Sequence, residues 1–113
     1  MRFEFGSIEI DGSTYEHDVV LEGGHVRKRK KGPSKPLRSQ YGHTPLSAAE
    51  EIPWRCRRLV IGTGAEGRLP VMDDVVREAD RRGVDLVIVP TRDAIEELAR
   101  TVDETNAILH VTC

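Results

Sequence analysis

The chain has 113 residues, which is enough for one domain whose hydrophobic core needs no disulfide or metal. Hydrophobic residues make up 38% and charged residues 32%, which excludes an integral membrane protein and a disordered polyelectrolyte. The net charge of −2 gives no overall attraction to nucleic acid or to an acidic membrane, and the 4% of aromatic residues argues against a base-stacking surface.

The first part of the chain predicts antiparallel β structure. Residues 7–10 alternate between polar and apolar side chains, Asp11-Gly12 is a hairpin turn signal, and residues 15–21 form a second run. After a break at Gly23-Gly24, residues 25–28 are expected to begin a third strand. Residues 27–38 then contain seven basic side chains and no acidic one, and Pro33 and Pro36 indicate a loop or strand edge there.

The second part predicts strands that alternate with helices. Ser47 and Glu50 have the spacing of a capping box, which predicts a short helix that Pro53 ends. Apolar runs at 59–62, 86–89 and 108–111 predict buried strands. Between them, a helical stripe at 71–79 is followed by Gly83, and Thr91 is expected to cap a third helix. The apolar face expected for that third helix comprises Ile95, Leu98, Ala99 and Val102.

Together these elements predict a three-layer α/β fold. The βαβαβ order from Leu59 onward requires right-handed crossovers, and the earlier hairpin should add an antiparallel layer to the sheet. We expect a single domain over residues 1–113, with a β-rich part at 1–46 and an α/β part at 47–113.

A glycine-rich segment at 62–67 follows the first buried strand and has the G-x-G-x-x-G pattern of a dinucleotide site. Pro90-Thr91 stands where such a site needs an acidic residue for the ribose, so the pattern disfavours a dinucleotide. Two interpretations stay open: a tight turn that needs glycine, or a site where backbone amides hold a small anion. The candidate ligand-binding residues are Gly62, Thr63, Gly64, Gly67, Arg68 and Thr91.

The basic stretch at 27–38 is the other candidate site. Isolated charge runs are usually solvated loops, but this one is also typical of a docking patch for an acidic protein. Nucleic acid is disfavoured because only Tyr41 lies nearby as a stacking partner. The candidate partner-binding residues are Arg27, Lys28, Arg29, Lys30, Lys31, Lys35, Arg38 and His43.

Histidine and cysteine spacing predicts neither a metal site nor a catalytic set. The four histidines never fall at i, i+4, and Cys56 and Cys113 are too few for a disulfide framework. His110 and Cys113 stand three apart, which in a strand puts them on opposite faces. We therefore expect no catalytic residue, no metal and no cofactor. Thiol cysteines and the absence of an apolar leader predict a cytoplasmic protein without membrane attachment.

Four segments occur in the order of a known family. They are 8–12, His43-Thr44-Pro45, 59–64 and 91–94, followed by a final His110-Val111-Thr112-Cys113. The chain resembles the small domain family that includes the adipogenesis-associated domain protein and the mitochondrial complex I assembly factor three, beside uncharacterised bacterial and archaeal stand-alone proteins. The resemblance implies a three-layer α/β domain with a mixed central sheet, no established enzyme activity and no known cofactor.

The function expected is a non-catalytic binding or assembly module that docks a partner protein through the basic stretch. The alternative is a protein that binds a small anion or small ligand at the 62–67 segment, either as a simple binding protein or as an enzyme.

Overall fold

A computed structural model describes residues 1–100 and 103–113 of the chain. In this part of the chain the strands are β1 (Arg2–Glu4), β2 (Ser7–Ile10), β3 (Ser13–Tyr15), β4 (Val19–Glu22), β5 (His25–Lys28), β6 (Arg58–Gly62), β7 (Asp85–Val89) and β8 (Thr105–Leu109). The helices are a 3-10 helix (Gly32–Leu37), α1 (Arg38–Tyr41), α2 (Asp73–Arg82) and α3 (Thr91–Arg100). None of the helices described is long and apolar enough to cross a membrane.

The central sheet is mixed and has the strand order β5-β4-β8-β6-β7. Strand β6 runs parallel to both β7 and β8, whereas β4 runs antiparallel to β8 and to β5. Because β6 lies between the other two parallel strands, α2 and α3 make their crossovers in opposite directions along the sheet. Strands β1, β2 and β3 form a separate antiparallel sheet.

Two hydrophobic clusters lie on the two faces of the central sheet. On one face, Ala94 and Leu98 of α3 and Ile8 of the small sheet pack with Val60 and Leu109. On the other face, Val75 and Ala79 of α2 pack with Leu59 and Ile61, and Leu46 covers the same cluster. This arrangement confirms the three-layer α/β fold with a mixed central sheet and an added antiparallel layer.

Three local expectations were wrong. The run at 15–21 is split, since β3 joins the small sheet and β4 joins the central sheet. The strand at 86–89 is not buried, because β7 is an edge strand whose Ile88 is 42% exposed. Ser47–Glu50 forms a turn rather than a helix, because the Glu50 side chain is directed to Arg29 instead of capping its own backbone.

The basic stretch is more ordered than a loop. Its first residues belong to β5, and its proline-containing part forms the 3-10 helix, which continues into α1. Ser34 anchors that 3-10 helix, because its buried hydroxyl forms a hydrogen bond with the Ser47 hydroxyl and donates another to the Glu50 carboxylate. The apolar position expected at Val102 and the side chain of Tyr41 lie outside the described part of the structure.

Candidate functional site: a basic cleft

The glycine-rich loop that follows β6 is closed by hydrogen bonds within the protein. The amide of Gly64 donates to Thr91 Oγ1 at 2.8 Å, and the amide of Gly67 donates to the carbonyl of Gly64 at 3.3 Å. The amides of Ala65 and Arg68 donate to the carbonyls of Thr112 and Cys113 at 2.7 and 2.9 Å. These bonds attach the segment 110–113, which follows β8, to the loop.

The glycine at position 64 is required by this close approach. Its φ is +104°, and a Cβ there would lie 2.5 Å from the carbonyl carbon of Cys113. Gly62 is similarly constrained, since a Cβ there would lie 2.9 Å from Thr91 Oγ1. The glycines therefore allow three chain segments to meet at the carboxyl end of the parallel strands.

The anion site at residues 62–67 stays a prediction that these bonds do not favour. The amides of Gly64 and Gly67 already have acceptors, and the Arg68 guanidinium pairs with Glu66 at 2.9 Å. Thr91 is fully buried, and its hydroxyl donates to the carbonyl of His110 while it accepts from Gly64. The amides of Gly64 and Gly67 are therefore not free to bind an incoming anion.

A buried ion network lies under the basic stretch, and Arg29 is its centre. The Arg29 side chain is only 2% exposed, and it donates to Glu50 through Nε at 2.8 Å and through Nη2 at 2.7 Å. It also donates to Asp18 Oδ2 at 2.9 Å and to the carbonyl of Pro45 at 3.0 Å. Burial tends to lower the pKa of Arg29, but the bonds and charges of the two carboxylates raise it, so the guanidinium stays charged. Arg29 is thus a structural residue, which corrects its inclusion among the partner-binding candidates.

Asp18 connects this network to the segment 110–113. Its Oδ2 accepts from His110 Nδ1 at 2.8 Å, and its Oδ1 accepts from the amide of Val111 at 3.0 Å. Burial opposes ionisation of Asp18, but the hydrogen bond and charge of His110, the Val111 amide and the charge of Arg29 together lower its pKa to about 2. Asp18 is therefore a carboxylate at neutral pH and fixes the orientation of the imidazole of His110.

Above the network lies a cleft of about 400 Å³ that we call the basic cleft. Five of the partner-binding candidates line it in one concave surface, namely the buried Arg29 together with Lys31, Lys35, Arg38 and His43. No aspartate or glutamate is among the described lining residues. Lys31, Lys35 and Arg38 are exposed, and none of them forms an ion pair with any acidic residue of the described chain.

The other basic candidates, Arg27, Lys28 and Lys30, do not line the basic cleft. Arg27 pairs with Glu22 at 3.5 Å and donates to the carbonyl of Glu51, and Lys30 pairs with the Glu51 carboxylate at 3.7 Å. Lys28 lines a smaller cleft of about 240 Å³ that adjoins the basic cleft through Lys31. The structure therefore brings together at the basic cleft four of the seven basic residues of the stretch 27–38, one of which, Arg29, is buried.

Four residues that line the cleft were not among the predicted site residues: Gly42, Thr44, His110 and Thr112. His110 and Thr112 line the basic cleft together with the lysines, and Thr112 Oγ1 lies 3.1 Å from His110 Nε2. Their spacing of two residues was visible, but their partner Asp18 is 92 positions away from His110 in the chain. No sequence signal links such distant positions.

Comparisons with known proteins identify the fold. No family model matches the chain, and no curated protein matches it. Among solved structures, the conserved hypothetical protein PH1505 from Pyrococcus horikoshii OT3 is similar with a TM-score of 0.81 at 24% identity, over 100% of this chain and 98% of that one.

Two further solved structures have a similar fold. A protein described as MT938 has a TM-score of 0.67 at 24% identity, over 100% of this chain and 96% of that one. A Bordetella pertussis protein, described as an Mth938-like domain, has a TM-score of 0.62 at 18% identity, over 97% and 83% of the two chains. The chain therefore shares the fold of the Mth938-like domain, and the descriptions of these neighbours name no activity.

Proposed function

We propose that this protein is a binding module that docks an acidic segment of a partner protein in the basic cleft. The observation that carries the proposal is the convergence of Lys31, Lys35 and Arg38 on one concave surface without an acidic partner among the described residues. Unpaired cations around one cleft create a local positive potential even though the whole chain has a net charge of −2.

Hydrogen bonds connect one wall of the cleft to the buried ion network. Ser34 of the 3-10 helix donates to Glu50, and Arg29, the residue that follows β5, donates to the same carboxylate. The amide of Arg38 donates to the carbonyl of Lys35, so α1 follows directly from the 3-10 helix. A preformed surface reduces the ordering entropy that binding must overcome, and complementary charge accelerates encounter with an acidic partner.

The test is fluorescence anisotropy with a labelled peptide of eight glutamates and a matching peptide of eight glutamines. The wild-type protein should bind the glutamate peptide saturably, and the Kd should rise with salt because ionic strength screens exposed charges. Reversal of the three cleft cations should weaken binding by about tenfold or more, since each substitution replaces attraction by repulsion. The variant carries Lys31→Glu, Lys35→Glu and Arg38→Glu.

A matched control separates the cleft from the overall charge of the protein. It reverses three exposed arginines that form no ion pair in the described chain and lie outside the cleft: Arg2, Arg55 and Arg77. The net charge changes equally in both variants, so a cleft-specific effect leaves the control within about twofold of wild type. Equal weakening in both variants, or stronger binding of inorganic phosphate than of the glutamate peptide, contradicts docking of an acidic segment.

We also propose membership of the family that includes the adipogenesis-associated domain protein and the complex I assembly factor three. The His110-Val111-Thr112-Cys113 ending and the Mth938-like fold support it. A cytoplasmic location is part of the same proposal, because the free cysteines Cys56 and Cys113 suit a reducing compartment.

A further inference from the structure

Two residues that line the basic cleft, His110 and Thr112, form a hydrogen-bonded chain with Asp18, which lies in the adjoining smaller cleft, and the docking function does not use this chain. Asp18 Oδ2 lies 2.8 Å from His110 Nδ1, and His110 Nε2 lies 3.1 Å from Thr112 Oγ1. A carboxylate, an imidazole and a hydroxyl in this order and at these distances are the arrangement that activates a hydroxyl nucleophile.

The surrounding bonds determine which nitrogen carries the proton. Asp18 accepts hydrogen bonds from the amide of Val111 and from Arg29, and both donors favour its ionised form. The carboxylate can only accept, so His110 must carry its proton on Nδ1 to bond it. With that proton on Nδ1, the lone pair of neutral His110 is on Nε2, where it accepts from the Thr112 hydroxyl. We propose that Thr112 is a nucleophile for acyl transfer, with His110 as general base and Asp18 as the residue that positions it.

The three groups are held in place and remain accessible. The backbone of the segment accepts from Gly6 at Val111 O, at 2.7 Å, and from Ala65 at Thr112 O, at 2.7 Å. Thr112 is partly exposed, the His110 side chain is 14% exposed, and both face the basic cleft. Rigid placement beside an open cleft is what a nucleophile needs to meet a substrate in a productive orientation.

The charge of the cleft selects the class of substrate. Lys31 lines the cleft beside both His110 and Thr112, and Lys35 and Arg38 complete its wall. Cations that line the same cleft create a positive potential, which favours a substrate with negative charge. The substrate class is therefore a carboxylic ester that itself carries a negative charge, and this preference rests on the charge recognition of the proposed function.

The reaction balances with water as the second substrate. Thr112 Oγ1 forms a bond to the carbonyl carbon while its proton passes to His110 Nε2. The tetrahedral intermediate then expels the alcohol, which takes the proton back from His110, and an acyl ester remains on Thr112. Water then attacks that ester while its proton passes to His110. Thr112 Oγ1 leaves and takes the proton back from His110, which releases the carboxylic acid and restores the threonine hydroxyl.

The experiment measures release of 4-nitrophenolate from two esters, neutral 4-nitrophenyl acetate and the anionic hemisuccinate, by the intact protein. We expect an initial burst approaching one nitrophenolate per chain, and tandem mass spectrometry should locate the acyl group on Thr112. The anionic ester should react about tenfold faster, because the cleft cations attract it.

Variants test the roles separately. Thr112→Val should abolish the burst, Thr112→Ser should retain it, and His110→Gln should slow it by about 100-fold or more. Thr14→Val is the matched control, since Thr14 is an exposed threonine outside the basic cleft. Thermal unfolding of each variant confirms that it is folded, and Thr112→Ser keeps the test valid if Thr112→Val does not fold.

Each outcome decides one point. No burst from the wild-type protein, a burst that survives Thr112→Val, or an acyl group found on Cys113 overturns the assignment of Thr112. A burst from Thr112 with no preference for the anionic ester leaves the nucleophile established and contradicts charge recognition by the cleft. Binding of the glutamate peptide without any burst supports the docking function alone and overturns this proposal.

Discussion

The guanidinium of Arg29 and the carboxylate of Glu50 meet inside the protein through two hydrogen bonds of 2.8 and 2.7 Å. The exposed fractions of the two side chains are only 2% and 3%. This pair joins the residue that follows β5 to the turn at Ser47–Glu50. The same Glu50 carboxylate accepts from Ser34 of the 3-10 helix, which places Lys35 at the basic cleft. The stability of the protein and the shape of the cleft therefore depend on the same ion pair.

Replacement of Arg29 should destabilise the protein strongly. Arg29→Met leaves the carboxylates of Asp18 and Glu50 without their main counter-charge, and breaking a buried pair in this way costs about 3–5 kcal/mol. Lys30→Met is the control, because the ion pair of Lys30 with Glu51 has both side chains 69% exposed and exposed pairs contribute about 0–1 kcal/mol. Urea denaturation measures both free energies of unfolding. Similar small changes in the two variants would show that the buried network adds little.

Replacement of Gly64 should loosen the segment 110–113. A Cβ at this position meets the backbone of Cys113, and φ of +104° is unfavourable for any other residue. Gly64→Ala should therefore lower the free energy of unfolding by about 2 kcal/mol or more. It should also speed hydrogen exchange at the amides of Ala65 and Arg68, which are bonded to that segment.

Gly24→Ala separates the steric effect from the effect of the backbone angle. Gly24 has a φ of +83°, but nothing lies within 4 Å of a Cβ built there. The cost should be limited to the backbone conformation, about 1 kcal/mol. If the two alanine variants lose equal stability, the contact between Gly64 and Cys113 is not a significant constraint.

Stability should depend on pH through Asp18. The pKa of Asp18 is lowered from 3.8 to about 2 in the folded protein, although burial opposes ionisation. The folded state therefore binds this proton less readily than the unfolded state, and Asp18 contributes about 2 kcal/mol above pH 4. That contribution is lost as the pH falls from about 4 to 2.

The measurement is urea denaturation between pH 2 and pH 6. Asp18→Asn should flatten the decline of stability between pH 4 and pH 2, whereas the exposed Asp80→Asn should leave it unchanged. An unchanged pH profile in Asp18→Asn would place the acid sensitivity in other carboxylates.

Reversal of the cleft cations should leave stability nearly unchanged. Lys31 and Lys35 are exposed and have no ion pair among the described residues, so Lys31→Glu with Lys35→Glu should shift the free energy of unfolding by less than about 0.5 kcal/mol per substitution. Thermal unfolding of the double variant tests this. A large loss of stability would mean that these lysines support the fold and are not reserved for a partner.

The helices and parallel strands were predictable because their signals are local. Gly83 ends α2 in the left-handed conformation, and Asp73 and Asp74 stand in its first turn, as the sequence indicates. The capping box at Ser47 failed because Glu50 is recruited by Arg29, which lies 21 positions earlier. A local pattern cannot anticipate a partner that only the fold provides.

The candidate site was predictable only in part, because it too depends on residues that are distant in the sequence. The concentration of positive charge at 27–38 is visible in the sequence, but the burial of Arg29 and the convergence of Lys31 with His110 depend on β4 and β8 being neighbours. The glycine pattern at 62–67 indicated a ligand, yet the amides of Gly64, Ala65 and Gly67 are bonded to Thr91, Thr112 and Gly64 within the chain. Turn glycines that bind a ligand and turn glycines that bind the chain itself have the same sequence.

The most direct measurement is an amide chemical-shift titration of the ¹⁵N-labelled protein with the peptide of eight glutamates. Docking in the basic cleft predicts that the largest shifts are confined to residues 31–44 and 110–112, and that they disappear in the Lys31→Glu, Lys35→Glu, Arg38→Glu variant. Shifts centred on another basic surface, such as Arg81 and Arg82 at the end of α2, would contradict it, as would a wild-type spectrum that the peptide leaves unchanged.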